Sequence, residues 1–367
     1  MLKRCLLFTV SVLLFTSMLG HAQAAVTPKV EGEIAWYDAT QWEPEGRGWD
    51  DTLRYYDRFP GKAQKTVRKS VWNLSRSSAG MVVRFATDAK QIDVRYRLHS
   101  KKVAMPHMPA TGVSGVDLYV KHDGRWRWLG VTRPKSQNVK ETLVKGLTSE
   151  RREYMLYLPL YNGVDSLDIG VAKDASFEPL DPREKKPIVF YGTSIMQGAC
   201  ASRPGMAHAS ILGRRLDRPV VNLGFSGNGT MDLPVAQLMT ELDAAMYVVD
   251  CLPNMNAEMV AKRTEPLVKL LRKARPETPI VLVEDRTYAD AFLLEKINKD
   301  LVARRAAFKK AYQNLLKAGV RNLGYVEGEP LLGPDGEATV DHSHPSDLGM
   351  QRMADYLEPI LRKILKE

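Results

Sequence analysis

The stretch PIVFYGTSIMQG, residues 187–198, decides how the second half of the chain is read. A short unbroken apolar run bounded by a proline and a glycine fits a strand buried on both faces of a parallel sheet. Gly192, Thr193 and Ser194 follow where the run ends, so a hydroxyl stands at the carboxyl end of the strand. In an open α/β sheet that edge is where ligands bind. A serine there reads equally well as an N-cap or as a nucleophile. The Gly-x-Ser-x-Gly elbow is not present, because Met196 stands where its second glycine would be.

Toward the C-terminus, strand and helix patterns alternate. The runs PVVNLG, AAMYVVDC, TPIVLVE and VRNLGYVEG read as strands. MAHASILGRRL, MDLPVAQLMTEL, AEMVAKRTEPLVKLLRKA and DAFLLEKINKDLVARRAAFKKAYQNLLKAG read as helices, and a final helix starts near Asp347. This alternation predicts an α/β fold: a three-layer αβα, doubly wound parallel sheet over residues 188–367. Right-handed crossovers place the strand carboxyl ends along one edge.

Toward the N-terminus the pattern changes. FEPLDPREKKP carries three prolines and a charge cluster, and residues 179–187 read as a linker. Before it, AGMVVRFAT and QIDVRYRL alternate apolar with polar residues. SGVDLYVKHDGRWRWLGV places Asp123-Gly124 between two such runs, a tight hairpin signal. REYMLYLPL and SLDIGVA add further strands. Residues 25–178 therefore read as an antiparallel β-sandwich of jelly-roll type. All six tryptophans lie in this half; core and hairpin packing is the ordinary role of such rings, and stacking on sugar faces the alternative.

The first residues, MLKRCLLFTVSVLLFTSMLGHAQA, have the layout of a secretory signal peptide spanning residues 1–24, with Ala22-Gln23-Ala24 as its cleavage site. The apolar run is short for a membrane span, and no comparable run follows. The expectation is an exported protein, periplasmic or secreted, with no membrane span after cleavage. Of the formal charge of +10, Lys3 and Arg4 leave with the signal and the rest is scattered, so no nucleic-acid partner is expected. Cys5 also leaves, and Cys200 and Cys251 remain. In an oxidising compartment they can pair. Cys200 follows Ser194 by six residues and Cys251 precedes Asn254 by three, so a disulfide beside the crevice is expected; two buried thiols are the alternative.

Two further strand ends and one late loop bear polar groups. NLGFSGNGT supplies glycines whose backbone N–H groups can face an oxyanion, and DCLPNMN supplies Asn254 after a strand-ending proline. DGEATVDHSHPSDLG places Asp341 and His344 three apart, side by side in one turn. There the aspartate can hold one imidazole nitrogen while the other takes a proton from Ser194. A zinc site on Asp341, His342 and His344 lacks a spaced partner motif, and His342 as the base would point away from Asp341. His99, His122 and His208 read as surface or packing residues. His107, in the proline-rich AMPHMPATG, stands in a loop able to overhang the cleft.

YGTSIMQG, NLGFSGNG, DCLPNM and DHSHPSDLG resemble, in order and separation, the four blocks of the SGNH (GDSL-type) hydrolases, over about half the chain. The resemblance implies a flavodoxin-like sheet order and a nucleophilic Ser194. It further implies a Ser194, Gly227 and Asn254 oxyanion hole, a triad completed by Asp341 and His344, and no metal or organic cofactor. Thr193 replaces the usual aspartate of the first block, and Leu252 replaces a glycine of the third, which bears on the backbone at Asn254. SGVDLYV resembles the Gly-x-Asp-Leu-Tyr signature of a β-sandwich that precedes some SGNH domains. Together these imply an exported carbohydrate esterase whose partner is an acylated, typically O-acetylated, glycan. A non-catalytic glycan-binding protein, and an esterase or lipase for non-carbohydrate esters, are the rival readings.

Overall fold

The computed structural model describes residues 26–367, so the signal peptide reading lies outside the described residues. The first half builds two five-stranded sheets in which every pairing is antiparallel. The strands are β1 (Lys29–Glu31), β2 (Ile34–Asp38), β3 (Val82–Thr87), β4 (Gln91–Leu98), β5 (Asp117–His122), β6 (Arg125–Val131), β7 (Asn138–Lys145), β8 (Arg152–Tyr157), β9 (Val164–Ala172) and β10 (Phe177–Pro179). One sheet runs β1-β2-β9-β4-β7 and the other β10-β3-β8-β5-β6. Their inner faces meet through Ile92, Val94, Leu167 and Ile169 on one side and Phe85, Leu118, Tyr154 and Leu156 on the other. The β5–β6 hairpin closes through Asp123 and Gly124, both left-handed, as a primed turn requires. The sequence patterns quoted above missed β1, β2 and β7, and β10 lies at the proline-rich start of the segment read as a linker.

The second half is a parallel sheet in the order β12-β11-β13-β14-β15, built from β11 (Ile188–Gly192), β12 (Val220–Gly224), β13 (Met246–Asp250), β14 (Ile280–Val283) and β15 (Leu323–Val326). Relative to chain order this is 2-1-3-4-5, with its switch point between β11 and β13. Because side chains alternate along a strand, Val189, Tyr191, Tyr247 and Val249 face one layer, and Ile188, Phe190, Met246 and Val248 the other. Two short front-half helices are α1 (Lys69–Ser75) and α2 (Ala110–Val113), and α3 (Ser194–Gln197) follows β11. The first layer holds α5 (Leu233–Met239), α6 (Ala257–Ala274) and α7 (Glu295–Lys317). The second holds α4 (His208–Arg215) and α8 (Asp347–Leu365). Helix α7 starts at Glu295 rather than Asp290: the Ala289 N–H donates to the His342 carbonyl and Asp290 faces the His342 ring, which diverts residues 289–294 toward the chain's last loop.

The two halves share their cores. The excursion between β2 and β3 sends Trp49, Phe59, Val71 and Trp72 into the α5–α7 layer, and Met108, Val113 and Leu160 enter the layer of α4 and α8. The Gly-x-Asp-Leu-Tyr signature explains itself here. Asp117 is fully buried and accepts from Arg203 Nη1 (2.9 Å), the Gly205 N–H (2.8 Å) and Trp128 Nε1 (2.8 Å), while the Tyr119 hydroxyl accepts from Arg203 (2.6 Å). Arg58, 2% exposed, donates to the carbonyls of Ser77 and Leu74 on its own side and of Asn222 and Gly224 at the end of β12. No carboxylate pairs with it among the described residues, and burial pushes its guanidinium down to about 9. Arg58→Met keeps much of the volume and strands four acceptors. It is expected to cost ~3 kcal/mol or more in urea unfolding, far beyond an exposed-arginine control such as Arg151→Met.

Candidate active site

The turn that carries Ser194 is a direct product of the sequence. Strand β11 ends at Gly192, Thr193 caps α3 by accepting from the Ile195 N–H (3.3 Å), and Ser194 becomes the first helical residue. Its hydroxyl meets His344 Nε2 at 2.8 Å and it is 6% exposed. Helix α3 ends after one turn at the left-handed Gly198. Two supports, one half-buried and one buried, were not legible in the sequence. Tyr161, from the front half, donates its hydroxyl to the Ser194 carbonyl (3.2 Å). Gln197 accepts from the Ser226 N–H (3.1 Å) and donates to the Leu160 carbonyl (3.1 Å).

The glycine loop after β12 lies directly on this turn. A Cβ at Gly229 would come within 2.0 Å of the Gly192 carbonyl oxygen, so only glycine fits. Gly227 is left-handed (φ +67°) with open space before it. After β13 the chain turns through Leu252–Asn254, and Asn254 Oδ1 accepts from the Gly229 N–H (3.2 Å). That bond orients the amide despite the missing glycine at 252 and leaves Nδ2 free to donate. Among the described residues the N–H groups of Ser194 and Gly227 have no protein acceptor. The strand ends therefore bring a hydroxyl and three donors without a protein acceptor to the carboxyl edge of the sheet; donors of this kind can stabilise a tetrahedral oxyanion.

The last loop supplies the imidazole. His344 Nδ1 lies 2.8 Å from Asp341 Oδ2, and the His344 and Ser343 N–H groups donate to Asp341 Oδ1 (2.7 and 3.3 Å). Burial alone would raise the Asp341 carboxyl, but these donors outweigh it and hold the group below its ordinary value. An ionised Asp341 fixes the Nδ1–H tautomer and turns a bare Nε2 toward Ser194. Beneath the loop, the buried Arg286 donates from Nε (3.2 Å) and Nη2 (3.0 Å) to the Ser343 carbonyl and from Nη2 (2.6 Å) to its hydroxyl. Asp285 binds the far side of the guanidinium, and Tyr288 stacks on it with its centroid 4.5 Å away. Nearby, burial pushes the Asp250 carboxyl up to about 7 against the pull of Arg286. Nothing in VEDRTY marks Arg286 in sequence as the anchor of a loop more than fifty residues later.

Two expectations need correction or placement. The disulfide is absent: Cys200 and Cys251 are both free and buried. Side-chain alternation explains this, since Cys251 packs in the α5–α7 layer and Cys200 in the α4–α8 layer, with the sheet between them. His342 adopts a left-handed conformation and pairs with Asp290 (3.3 Å), away from the Asp341–His344 pair. Among the described residues no group of three His, Cys, Asp or Glu side chains gathers into a metal site, and no helix is long and apolar enough to cross a membrane. Of the tryptophans, Trp36, Trp42, Trp49 and Trp72 are core residues, and Trp128 is half exposed beneath Arg203.

The fold and site define an SGNH-type acyl hydrolase architecture with a β-sandwich in front. Residues 185–362 match the profile of the GDSL-like lipase/acylhydrolase family, and residues 34–177 that of the Gly-x-Asp-Leu-Tyr N-terminus of SGNH-hydrolase-type esterases. Among solved structures, a protein described as a GDSL-like lipase from Bacteroides ovatus is 34% identical, with a TM-score of 0.87 over 91% of this chain and 98% of that one. The chain belongs to the GDSL-like lipase/acylhydrolase family. A salicylyl-acyltransferase from a tetracycline biosynthetic pathway (19% identity, TM-score 0.71, 93% of this chain and 97% of that one) shares the fold. So does a family two carbohydrate esterase from Clostridium thermocellum solved with cellohexaose (16%, 0.59, 79% and 94%). No curated protein matches.

Denatured, unreduced protein lacking residues 1–24 is expected to titrate two thiols per chain with a disulfide-exchange dye; none would restore the bridge. Arg286→Met is expected to lower ester turnover by ~100-fold through a displaced His344, with Arg286→Lys intermediate, measured on folded protein matched by circular dichroism.

Proposed function

We propose that the chain is an exported serine esterase that removes acyl groups, O-acetyl foremost, from a polysaccharide or oligosaccharide. The observation that carries this reading is the unbroken relay from Ser194 Oγ to His344 Nε2 and from His344 Nδ1 to Asp341, each link 2.8 Å, beside the oxyanion donors. His344 takes the Ser194 proton as Oγ attacks the ester carbonyl. The oxyanion is held by the Ser194 and Gly227 N–H groups and the Asn254 amide. The alcohol leaves with the proton from His344. Water then donates a proton to His344 and attacks the acyl-enzyme, which releases the carboxylic acid and restores Ser194. Asp341 orients and stabilises the imidazolium.

The glycan part of the reading draws support from the front domain and from the shared fold of carbohydrate esterases. A second reading has its own observation. A groove of about 800 Å³ lined by Tyr288, Phe292, Leu332 and Pro334 opens beside the loop that carries His344, and Phe292 is 81% exposed. Such a surface suits an ester with a large apolar part. A glycan-binding protein without catalysis would have no use for the relay.

The test is hydrolysis of p-nitrophenyl acetate, followed by acetate release from acetylated plant polysaccharides set against p-nitrophenyl esters of longer acids. Ser194→Ala is expected to lower turnover by at least ~10⁴-fold while the fold persists. Undiminished turnover in that variant would remove Ser194 from the chemistry, and a preference for long-chain esters would favour the second reading.

A further inference from the structure

His107 has no structural task that the surrounding contacts reveal. It stands at the third position of a four-residue turn closed by reciprocal backbone bonds, Met105 N–H to the Met108 carbonyl (3.0 Å) and Met108 N–H to the Met105 carbonyl (3.1 Å). Pro106 is the second residue of the turn and Pro109 follows it, and both remove backbone freedom. Met108, 2% exposed, plugs the same core as Ile195 and Met196 under the nucleophile. Helix α2 follows at once. Its Thr111 hydroxyl donates to the Ser202 carbonyl (2.6 Å), and a Cβ at Gly112 would fall 2.4 Å from the Ala201 carbonyl oxygen. The loop is thus clamped to the segment that leaves the nucleophile helix. Yet the His107 ring itself is exposed, and among the described residues no protein group hydrogen-bonds to it. Its centroid lies 5.9 Å from that of His344, with the ring planes 35° apart.

This placement has a chemical consequence that rests on the esterase reading. In serine acyl transfer the imidazole that deprotonates the nucleophile also returns the proton to the departing oxygen. The alcohol half of the ester therefore leaves beside the His344 imidazole, the ring that His107 neighbours, while the ester's carbonyl oxygen lies at the oxyanion donors. An imidazole offers both a donor and an acceptor nitrogen. We infer that His107 is a specificity residue for the alcohol half: it hydrogen-bonds a hydroxyl neighbouring the scissile ester, so the front domain selects hydroxyl-bearing alcohols, sugars and polyols, over alkyl and aryl ones. A site that hydrogen-bonds a substrate hydroxyl discriminates against analogues without it.

The readout is a ratio, kcat/KM for acetylated xylo-oligosaccharide or 6-O-acetylglucose divided by kcat/KM for p-nitrophenyl acetate. His107→Ala is expected to lower this ratio by about tenfold, the scale of one hydrogen bond, chiefly through KM on the sugar ester. His107→Asn, which keeps a donor and an acceptor, recovers part of it. His122→Ala, at the tip of the β5–β6 hairpin, serves as the control and leaves the ratio at the wild-type value. A parallel loss on both ester classes, an unchanged ratio, or a wild-type enzyme with no preference for hydroxyl-bearing esters each overturns the inference. Those outcomes leave the triad standing as long as Ser194→Ala is inactive on p-nitrophenyl acetate; activity in that variant sinks the esterase reading itself.

Discussion

The buried guanidinium of Arg58 is the contact on which the rest of the structure depends. It spends its donors on four backbone carbonyls, two in the excursion of the front domain and two at the last turn of β12. A charge without a carboxylate is costly to bury, and here the solvation lost to water is replaced by fixed peptide dipoles. Phe225 packs against the guanidinium, its ring centred 5.0 Å away, and Phe225 begins the loop that contains Gly227. The position of the glycine loop is therefore set by a residue from the other half of the chain.

The same logic recurs around the site. Tyr161 reaches the Ser194 carbonyl, Leu160 receives Gln197, and Met108 fills space under α3. On the opposite side Arg286 grips Ser343 and thereby the loop bearing Asp341 and His344. The Ser194 hydroxyl and the His344 imidazole are thus each held by a second, buried or half-buried residue, the condition for keeping the two at hydrogen-bond distance in a fixed geometry. The front domain acts as structural support as much as accessory module.

Much of this was legible in the chain itself. Uninterrupted apolar runs such as IVFYG and MYVVD can be satisfied only by burial on both faces, which points to the parallel sheet. Ser194, Gly227 and Asn254 were readable because each sits just past the end of a strand pattern, and Asp341 and His344 because they stand three apart in the loop before the last helix. What remained hidden was long-range. Arg58, Tyr161, Gln197 and Arg286 act through backbone groups of partners far along the chain, and a donor to a carbonyl leaves no mark in the partner's side chain. The cysteine pairing failed for a related reason. Proximity in sequence to the crevice says nothing about which face of the sheet a side chain takes. The start of α7 shifted because Asp290 is occupied by a loop contact that helical periodicity does not register.

The separation of the two thiols by the full thickness of the sheet has a further consequence. Burial pushes Cys200 up to about 12 and Cys251 well above its ordinary value, so almost no thiolate forms at neutral pH. Cys200 donates its backbone N–H to the Pro345 carbonyl, next to His344, yet its buried, protonated sulfur is a poor nucleophile beside the crevice. No bond that only an oxidising compartment could make joins Cys200 to Cys251, so the packing of the two layers around the sheet carries the fold here without a covalent staple.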